Sequence, residues 1–451
     1  MSAASPLKRR EIVDSLRLGA VPRHGLELFA VGLDPFERVI DEELEAAAAG
    51  RGKFKAVRGD YGTGKTFFAS WLSHRAWQRG FATALVQISE SDTPLYRMQT
   101  VYRRAIEGLQ TKEWSAGAFR SLIDRWFYNL EEEVLAQPGT AESDADAVSL
   151  AVGKLLEQRL ATVSATQPQF AAALRRCHTA RVKEEHAIAE GLVAWLMGQP
   201  NVSADIKRAA GLKGDVDHDG AGGFLRGLLE LLKQTGRAGL VLVLDELETI
   251  QRVRADSREK SLTALRQLID DLGAGRFPGL YVLVTGTPQF FDGMQGVQRS
   301  PPLAQRLQTE FAKDPRFDSA RAVQIRLPPF SFDRLVEVGR RVRDLYPSEH
   351  SERIAARVND ELLASLARGV AGKLGGKVGM APRLYLKRLV GLLDQVDEHA
   401  EFDPLKHYEL IVAANEMTDE ERDAAGVVRT VADISLDLGE PDRSGGRGEI
   451  E

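Results

Sequence analysis

The feature that most constrains the fold of this chain is a glycine-rich segment, Gly59-Asp60-Tyr61-Gly62-Thr63-Gly64-Lys65-Thr66. It fits the pattern G-x-x-x-x-G-K-[ST], in which glycines let the backbone curl until successive N–H groups face one anion. Lys65 can then reach β- and γ-phosphates, the Thr66 hydroxyl can ligate Mg²⁺, and the following helix directs its positive end at the same place. The segment therefore predicts a site for ATP and Mg²⁺ between a strand and a helix.

A second segment predicts the chemistry at that site. The apolar run Leu240–Leu244 ends in Asp245 and Glu246, and ligands bind at the carboxyl ends of strands in open α/β sheets. Asp245 is expected to hold Mg²⁺ through its water shell and Glu246 to orient the attacking water. The pair favours an ATP hydrolase over a kinase. Glu248 is interpreted as an acid in the first turn of a helix rather than a catalytic group.

The order of apolar patterns predicts an α/β fold with a parallel sheet. Strands are expected at Phe54–Val57, Ala82–Ile88, Leu240–Leu244, Leu280–Thr285 and Gln324–Leu327. Between them the chain favours helices only, with a turn-rich loop over Gly211–Gly223 before a helix over Phe224–Lys233. Four helices are expected later, over 332–345, 351–369, 383–398 and 404–416. The predicted divisions are 1–92 and 236–330 for the core, 93–235 for a helical insertion, 331–417 for a helical lid and 418–451 for an acidic, disordered tail.

Composition narrows the environment and the partners. The formal net charge of -5 excludes a uniformly cationic nucleic-acid binder, so any DNA contact must come from a local patch. The single cysteine, Cys177, suits a reducing cytoplasm and is expected to be buried. No apolar run reaches the length of a membrane span, and the first residues lack the hydrophobic stretch of a secretory signal.

These motifs together resemble AAA+ ATPases, in which a strand ending in a polar sensor lies between the two motif strands. The resemblance implies that Thr285 or Thr287 is this sensor, after the apolar strand that begins at Leu280. It also implies a lid with a second sensor, which Arg383 in Gly379-Met380-Ala381-Pro382-Arg383 matches. An arginine finger that completes a neighbouring subunit's site would be Arg306 or Arg299, and it requires a homo-oligomer.

A narrower resemblance follows from the sequence that flanks the glycine-rich segment. It lies in the segments RREIVDSLRLGAVPRHGLELFAVG and FKAVRGDYGTGKTFFASWL, in the end of the second strand at Gln87-Ile88-Ser89 and in the long insertion. In these features the chain resembles ATP-binding proteins of bacterial BREX phage-defence loci (BrxD-like), which are related to the origin-recognition branch of AAA+ proteins. The resemblance implies a helicase-like protein partner working on DNA, and it places Val21, Pro22 and Leu33 against the adenine. The C-terminal winged-helix domain of origin-recognition relatives is not evident here.

The role of the lid's basic residues stays open at this point. Arginines and lysines cluster in two stretches of the lid, at Arg334, Arg340, Arg341 and Arg343, and at Lys373, Lys377, Arg383, Lys387 and Arg388. They fit either a DNA-binding patch or a solvated helix face balanced by nearby acids. Two functions remain: an ATP-hydrolysing motor or loader beside a DNA-processing partner, and a nucleotide-dependent switch or scaffold that presents its insertion with little turnover.

Overall fold

The centre of the molecule is a parallel sheet. The computed structural model describes residues 5–137, 145–373 and 382–408, and within them five parallel strands pair in the order β2-β3-β4-β1-β5. Their bounds are β1 Lys53–Arg58, β2 Ala82–Gln87, β3 Leu240–Asp245, β4 Leu280–Gly286 and β5 Gln324–Arg326. Each predicted strand is present within about two residues of its expected limits. The predicted α/β P-loop core with helical additions is confirmed.

The two central strands carry almost continuous apolar runs because helices cover both faces of the sheet. Every residue of β3 and of β4 is buried. Successive side chains enter opposite sides: Leu242 belongs to a cluster with the helices of residues 98–234, whereas Val241 and Val243 pack with the N-terminal segment and the helices after β5. The sheet therefore separates two hydrophobic cores.

Helices account for most of the remaining described chain. Those of the N-terminal segment and the core are α1 Pro6–Arg17, α2 Asp34–Ala48, α3 Lys65–Gln78, α11 Ala255–Gly273, α12 Pro288–Asp292 and α13 Pro301–Leu307. Those between β2 and β3 are α4 Met98–Glu107, α5 Ala118–Leu135, α6 Ala145–Thr166, α7 Pro168–Val182, α8 His186–Leu196, α9 Ala204–Ala209 and α10 His218–Gln234. Those after β5, in the segment predicted to be a lid and named the lid below, are α14 Phe332–Leu345, α15 Ser351–Arg357, α16 Asp360–Lys373, α17 Pro382–Glu398 and α18 Pro404–His407. Short 3₁₀ turns lie at Leu26–Leu28, Leu247–Gln251, Val297–Arg299 and Pro315–Phe317.

Two predicted boundaries were wrong. The loop expected over Gly211–Gly223 ends earlier, because α10 already begins at His218. The Asp217 carboxylate caps this helix by accepting a hydrogen bond from the Gly220 N–H at 2.7 Å. The helix expected over 351–369 is two helices, α15 and α16, separated at Val358 and Asn359. Of the helix expected over 404–416, α18 occupies the beginning. Residues 409–416 and the predicted tail, 418–451, lie outside the described residues.

Among the helices within residues 5–137, 145–373 and 382–408, none combines the length and the hydropathy that a membrane span requires.

Candidate nucleotide-binding site

A cavity of about 430 Å³ lies at the carboxyl end of the sheet, within the usual size range for a small-molecule site. Residues from three parts of the chain line it. The N-terminal segment contributes Leu16, Gly19–Pro22, Phe29 and Val31–Leu33, the core contributes 61–67, Asp245, Glu246, Glu248, Thr249 and Arg252, and the region after β5 contributes Leu327, Pro328, Phe330, Arg334, Val338, Pro382, Arg383 and Leu386.

The glycine-rich loop has the curled backbone that its sequence predicts. Gly62 and Gly64 have φ angles of 78° and 90°, a left-handed conformation that strains other residues. At Gly59 the restriction is spatial, since a Cβ there would lie 2.3 Å from the Thr63 hydroxyl oxygen. No side chain caps the start of α3, so its first N–H groups are available to an anion.

Lys65 is buried at 8% exposure inside this loop. Its ammonium donates to the carbonyls of Gly59 at 2.9 Å and Asp60 at 3.3 Å, and it lies 5.1 Å from the centre of the Tyr61 ring. Gly59 and Asp60 thus contact the lysine through their backbone carbonyls, while the later residues of the loop line the cavity.

The predicted Mg²⁺ ligands lie together. The Thr66 hydroxyl donates to Asp245 Oδ2 at 3.2 Å, and the Thr285 hydroxyl donates to Asp245 Oδ1. Mg²⁺ prefers hard oxygen ligands and keeps several of its waters, so one hydroxyl and one carboxylate at this separation suffice. These residues fit Mg²⁺, which would link them to the phosphates of a nucleotide.

The two sensor candidates occupy different surroundings. Thr285 is fully buried and also accepts a hydrogen bond from the Glu246 N–H at 3.1 Å, so it holds both acids of the pair. β4 lies between β3 and β1, which puts Thr285 beside both motif strands. Thr287 is buried at the start of α12, and neither threonine is among the described residues that line the cavity.

Glu246 has an unusual backbone and a side-chain partner that the sequence interpretation missed. Its φ of 62° is left-handed, and such strain in a residue other than glycine is concentrated at functional sites. Its carboxylate accepts a hydrogen bond from the Gln87 side chain at 2.9 Å. Gln87 ends β2 beside Asp245 in the strand register, so a polar residue at the end of a neighbouring strand was the available signal.

Glu248 lies in the first turn of the 3₁₀ segment Leu247–Gln251, where an acid was expected, and its side chain is buried at the wall of the cavity. It is 5% exposed, and burial raises the pKa of its carboxyl group while nearby Lys65 opposes the rise. Glu248 Oε1 lies 4.0 Å from the Lys65 ammonium nitrogen.

Two lid arginines line the cavity, and each lies close to a glycine of the N-terminal segment. Arg383 is the second residue of α17, and its guanidinium lies 3.4 Å from the position of a Cβ at Gly19. A Cβ at Gly32 would lie 2.9 Å from the guanidinium carbon of Arg334 on α14. Gly379 to Ala381, which complete the predicted sensor motif, lie outside the described residues. The residues expected to pack adenine, Val21, Pro22 and Leu33, line the same cavity.

The arginine-finger candidates lie elsewhere and are paired within the chain. Arg306 on α13 contacts Asp270 of α11 and donates to the Pro302 carbonyl at 2.8 Å. Arg299 forms an ion pair of 2.7 Å with Glu259. A role for either residue in a neighbouring subunit therefore requires an exchange of partners.

Most described members of the first basic cluster are balanced by acids. Arg340 pairs with Asp360 at 2.8 Å, Arg341 with Glu337 at 2.6 Å and Arg343 with Asp344 at 2.9 Å. This pairing favours a solvated face, whereas Arg334 contributes to the cavity instead. Lys377 lies outside the described residues, as does the side chain of Lys373, and DNA binding by the lid stays a prediction.

The geometry agrees with the comparison to known families. A family model described as "BREX system ATP-binding protein BrxC/D" matches residues 4–412, which includes the whole cavity and the helices on both sides of the sheet. A comparison with curated proteins found none that matches the chain.

Proposed function

The chain belongs to the BrxC/D family of BREX system ATP-binding proteins, and from this premise we propose that it hydrolyses ATP as an AAA+ motor or loader on DNA. ATP binding within a phage-defence system follows from the family. Hydrolysis is supported by one observation above all: Asp245 and Glu246 lie at the same end of the sheet as Lys65 and Thr66, around one cavity.

In the proposed reaction each residue has a separate task. Loop N–H groups and Lys65 hold the phosphates, and Thr66 with Asp245 would hold Mg²⁺, which would supply positive charge against the phosphate oxygens. Glu246 accepts a proton from a water whose oxygen bonds to the γ-phosphorus, while the bond between that phosphorus and the β–γ bridging oxygen breaks. The products are ADP and phosphate. Thr285 positions both acids, and Arg334 and Arg383 add positive charge from the lid.

The second candidate, a nucleotide-dependent switch with little turnover, is favoured by the bond between Gln87 and Glu246. A carboxylate that accepts from Gln87 has one oxygen occupied and is held toward the end of β2. In this alternative, ATP occupancy changes how the helices α4–α10 are presented to a protein partner. A helicase-like partner and DNA belong to the first candidate, and a homo-oligomer would bring Arg306 or Arg299 to a neighbouring site.

The proposal is tested by measuring ATP binding and steady-state phosphate release, with and without duplex DNA. Lys65→Ala should weaken ATP binding about a hundredfold, because a charge-assisted contact to the γ-phosphate is lost. Glu246→Gln should bind ATP normally and release phosphate about 10²–10⁴-fold more slowly. Glu131→Gln removes an exposed carboxylate on α5 and should behave as wild type.

The outcomes separate the candidates. Unchanged ATP binding in Lys65→Ala contradicts the assignment of the loop. A wild-type rate no higher than that of Glu246→Gln under every condition contradicts hydrolysis and leaves the switch. Stimulation by DNA that falls as salt rises supports the motor or loader, since phosphate contacts release counterions.

A further inference from the structure

Glu248 is the one carboxylate lining the cavity, among the described residues, whose side-chain oxygens accept no hydrogen bond. Asp245 accepts from Thr66 and Thr285, and Glu246 accepts from Gln87. Both oxygens of Glu248 are buried without a donor. A buried carboxylate without hydrogen bonds is costly unless a cation compensates it, so the surroundings of Glu248 need an explanation.

The compensating cation is the lysine of the glycine-rich loop. The Lys65 ammonium lies 4.0 Å from Glu248 Oε1, and its hydrogen-bond acceptors are the uncharged carbonyls of Gly59 and Asp60. Glu248 is thus the negative group that this ammonium faces at close range. Both side chains are more than nine-tenths buried, so water screens their attraction poorly.

A nucleoside triphosphate would need the same ammonium group. In loops of this pattern the lysine binds the β- and γ-phosphates, and a γ-phosphate in the cavity adds negative charge close to Glu248. Binding therefore withdraws Lys65 from Glu248 and brings a like charge toward a carboxylate that has no donor. A diphosphate lacks the γ-phosphate, so it withdraws Lys65 from Glu248 less and brings less negative charge toward Glu248.

We infer that Glu248 is a positioning residue that holds the Lys65 ammonium in the nucleotide-free cavity and competes with the terminal phosphate for it. The competition lowers the affinity for ATP more than the affinity for ADP. It therefore lowers the ratio of the ATP affinity to the ADP affinity. This inference rests on the proposed binding of ATP at this cavity, but it does not require hydrolysis.

The test measures dissociation constants for ATP and ADP in the full chain, with fluorescent analogues of each nucleotide. Glu248→Gln removes the charge and keeps the shape, so ATP should bind about tenfold more tightly and ADP less than about threefold more tightly. The effect should persist in EDTA, because it does not depend on a metal. Glu248→Met, a similar volume without charge, should act in the same direction and provides a second variant if the first folds poorly.

Two further variants test whether Glu248 acts through Lys65. In a Lys65→Met background, Glu248→Gln should change the ratio of ATP to ADP affinity much less than in wild type, since the two effects are coupled. Glu248→Asp keeps the charge and should restore the wild-type ratio at least in part. Glu131→Gln is the matched exposed control.

Each result decides a different statement. If wild type binds no ATP, or Lys65→Ala binds it unchanged, the proposed function fails. If those results hold but Glu248→Gln leaves the ratio of affinities unchanged or lowers it, only the inference about Glu248 fails. Loss of turnover by about a hundredfold in Glu248→Gln, with unchanged affinities, would make Glu248 a water-activating group and would also overturn the inference.

Discussion

The positive charge that the lid brings to the cavity depends on a missing side chain at Gly32. Its φ of 76° is left-handed, and a Cβ there would lie 2.9 Å from the Arg334 guanidinium carbon. Gly32→Ala should therefore strain the backbone by about 1 kcal/mol and push Arg334 away from the cavity. We expect a lower free energy of unfolding, measured by denaturant titration, together with weaker binding of ATP.

Gly80→Ala is the matched control for this change. Gly80 has a φ of 80°, and a Cβ there would have no atom within 4 Å. The two substitutions should lower stability by similar amounts, but only Gly32→Ala should weaken ATP binding. Equal ATP affinities in the two variants would mean that Arg334 does not contribute to nucleotide binding.

Single residues differ in how well the sequence predicts their surroundings. Gly59–Thr66 and Asp245 carry short patterns whose chemistry is contained in neighbouring positions, so both were identified from the sequence, and Tyr61–Thr66 and Asp245 line one cavity. The contacts of Gln87 and Glu248 within the site were not predicted, because one depends on the register between β2 and β3 and the other on burial beside a distant lysine. The assigned roles of all the site residues stay predictions.

Helix ends within the lid show what decides an element boundary. The apolar positions Ile354, Val358, Leu362 and Leu366 continue with helical spacing through the break between α15 and α16, so periodicity alone predicts one helix. The break occurs because the Asn359 side chain accepts a hydrogen bond from the Leu362 N–H at 3.0 Å. That bond satisfies one of the free N–H groups at the start of α16.

Asn359→Ala should therefore lower the free energy of unfolding by about 1 kcal/mol, because the start of α16 loses its side-chain acceptor. Asn359→Asp and Asn359→Ser keep an acceptor and should stay close to wild type. Urea titrations followed by circular dichroism would measure the differences. An alanine variant as stable as the aspartate variant would show that the cap does not determine this boundary.

Strands were predicted more closely than these helix ends, because short apolar runs bounded by turns leave little freedom in where a strand lies. The strand order β2-β3-β4-β1-β5, by contrast, could not be predicted from local patterns. No local pattern encodes which strands become neighbours, and the position of β4 between the two motif strands was expected only through the resemblance to AAA+ proteins. The divisions of the chain at 92, 235 and 330 stay predictions.

At the scale of the whole molecule, the cavity joins parts that are far apart in the chain. The N-terminal segment and the lid meet directly, since the Arg17 guanidinium donates twice to Asp394 of α17 at 2.9 Å. Both parts pack on the face of the sheet opposite the helices between β2 and β3. A nucleotide in the cavity would touch the N-terminal segment, the glycine-rich loop and the lid at once, so it should stabilise their mutual arrangement.

ATP should consequently raise the midpoint of thermal unfolding, by an amount that depends on the lid arginines. At a hundredfold excess over its dissociation constant, a ligand that binds only the folded state contributes about 2.7 kcal/mol. Arg383→Ala removes a cation that lines the cavity, so the midpoint of this variant should rise less than that of wild type at the same ATP concentration.

Arg340→Ala is the control, because it removes an exposed lid arginine paired with Asp360, and it should keep the full rise. Differential scanning fluorimetry at several ATP concentrations would measure both, and identical shifts in the two variants would contradict a role for Arg383 in joining the lid to the nucleotide.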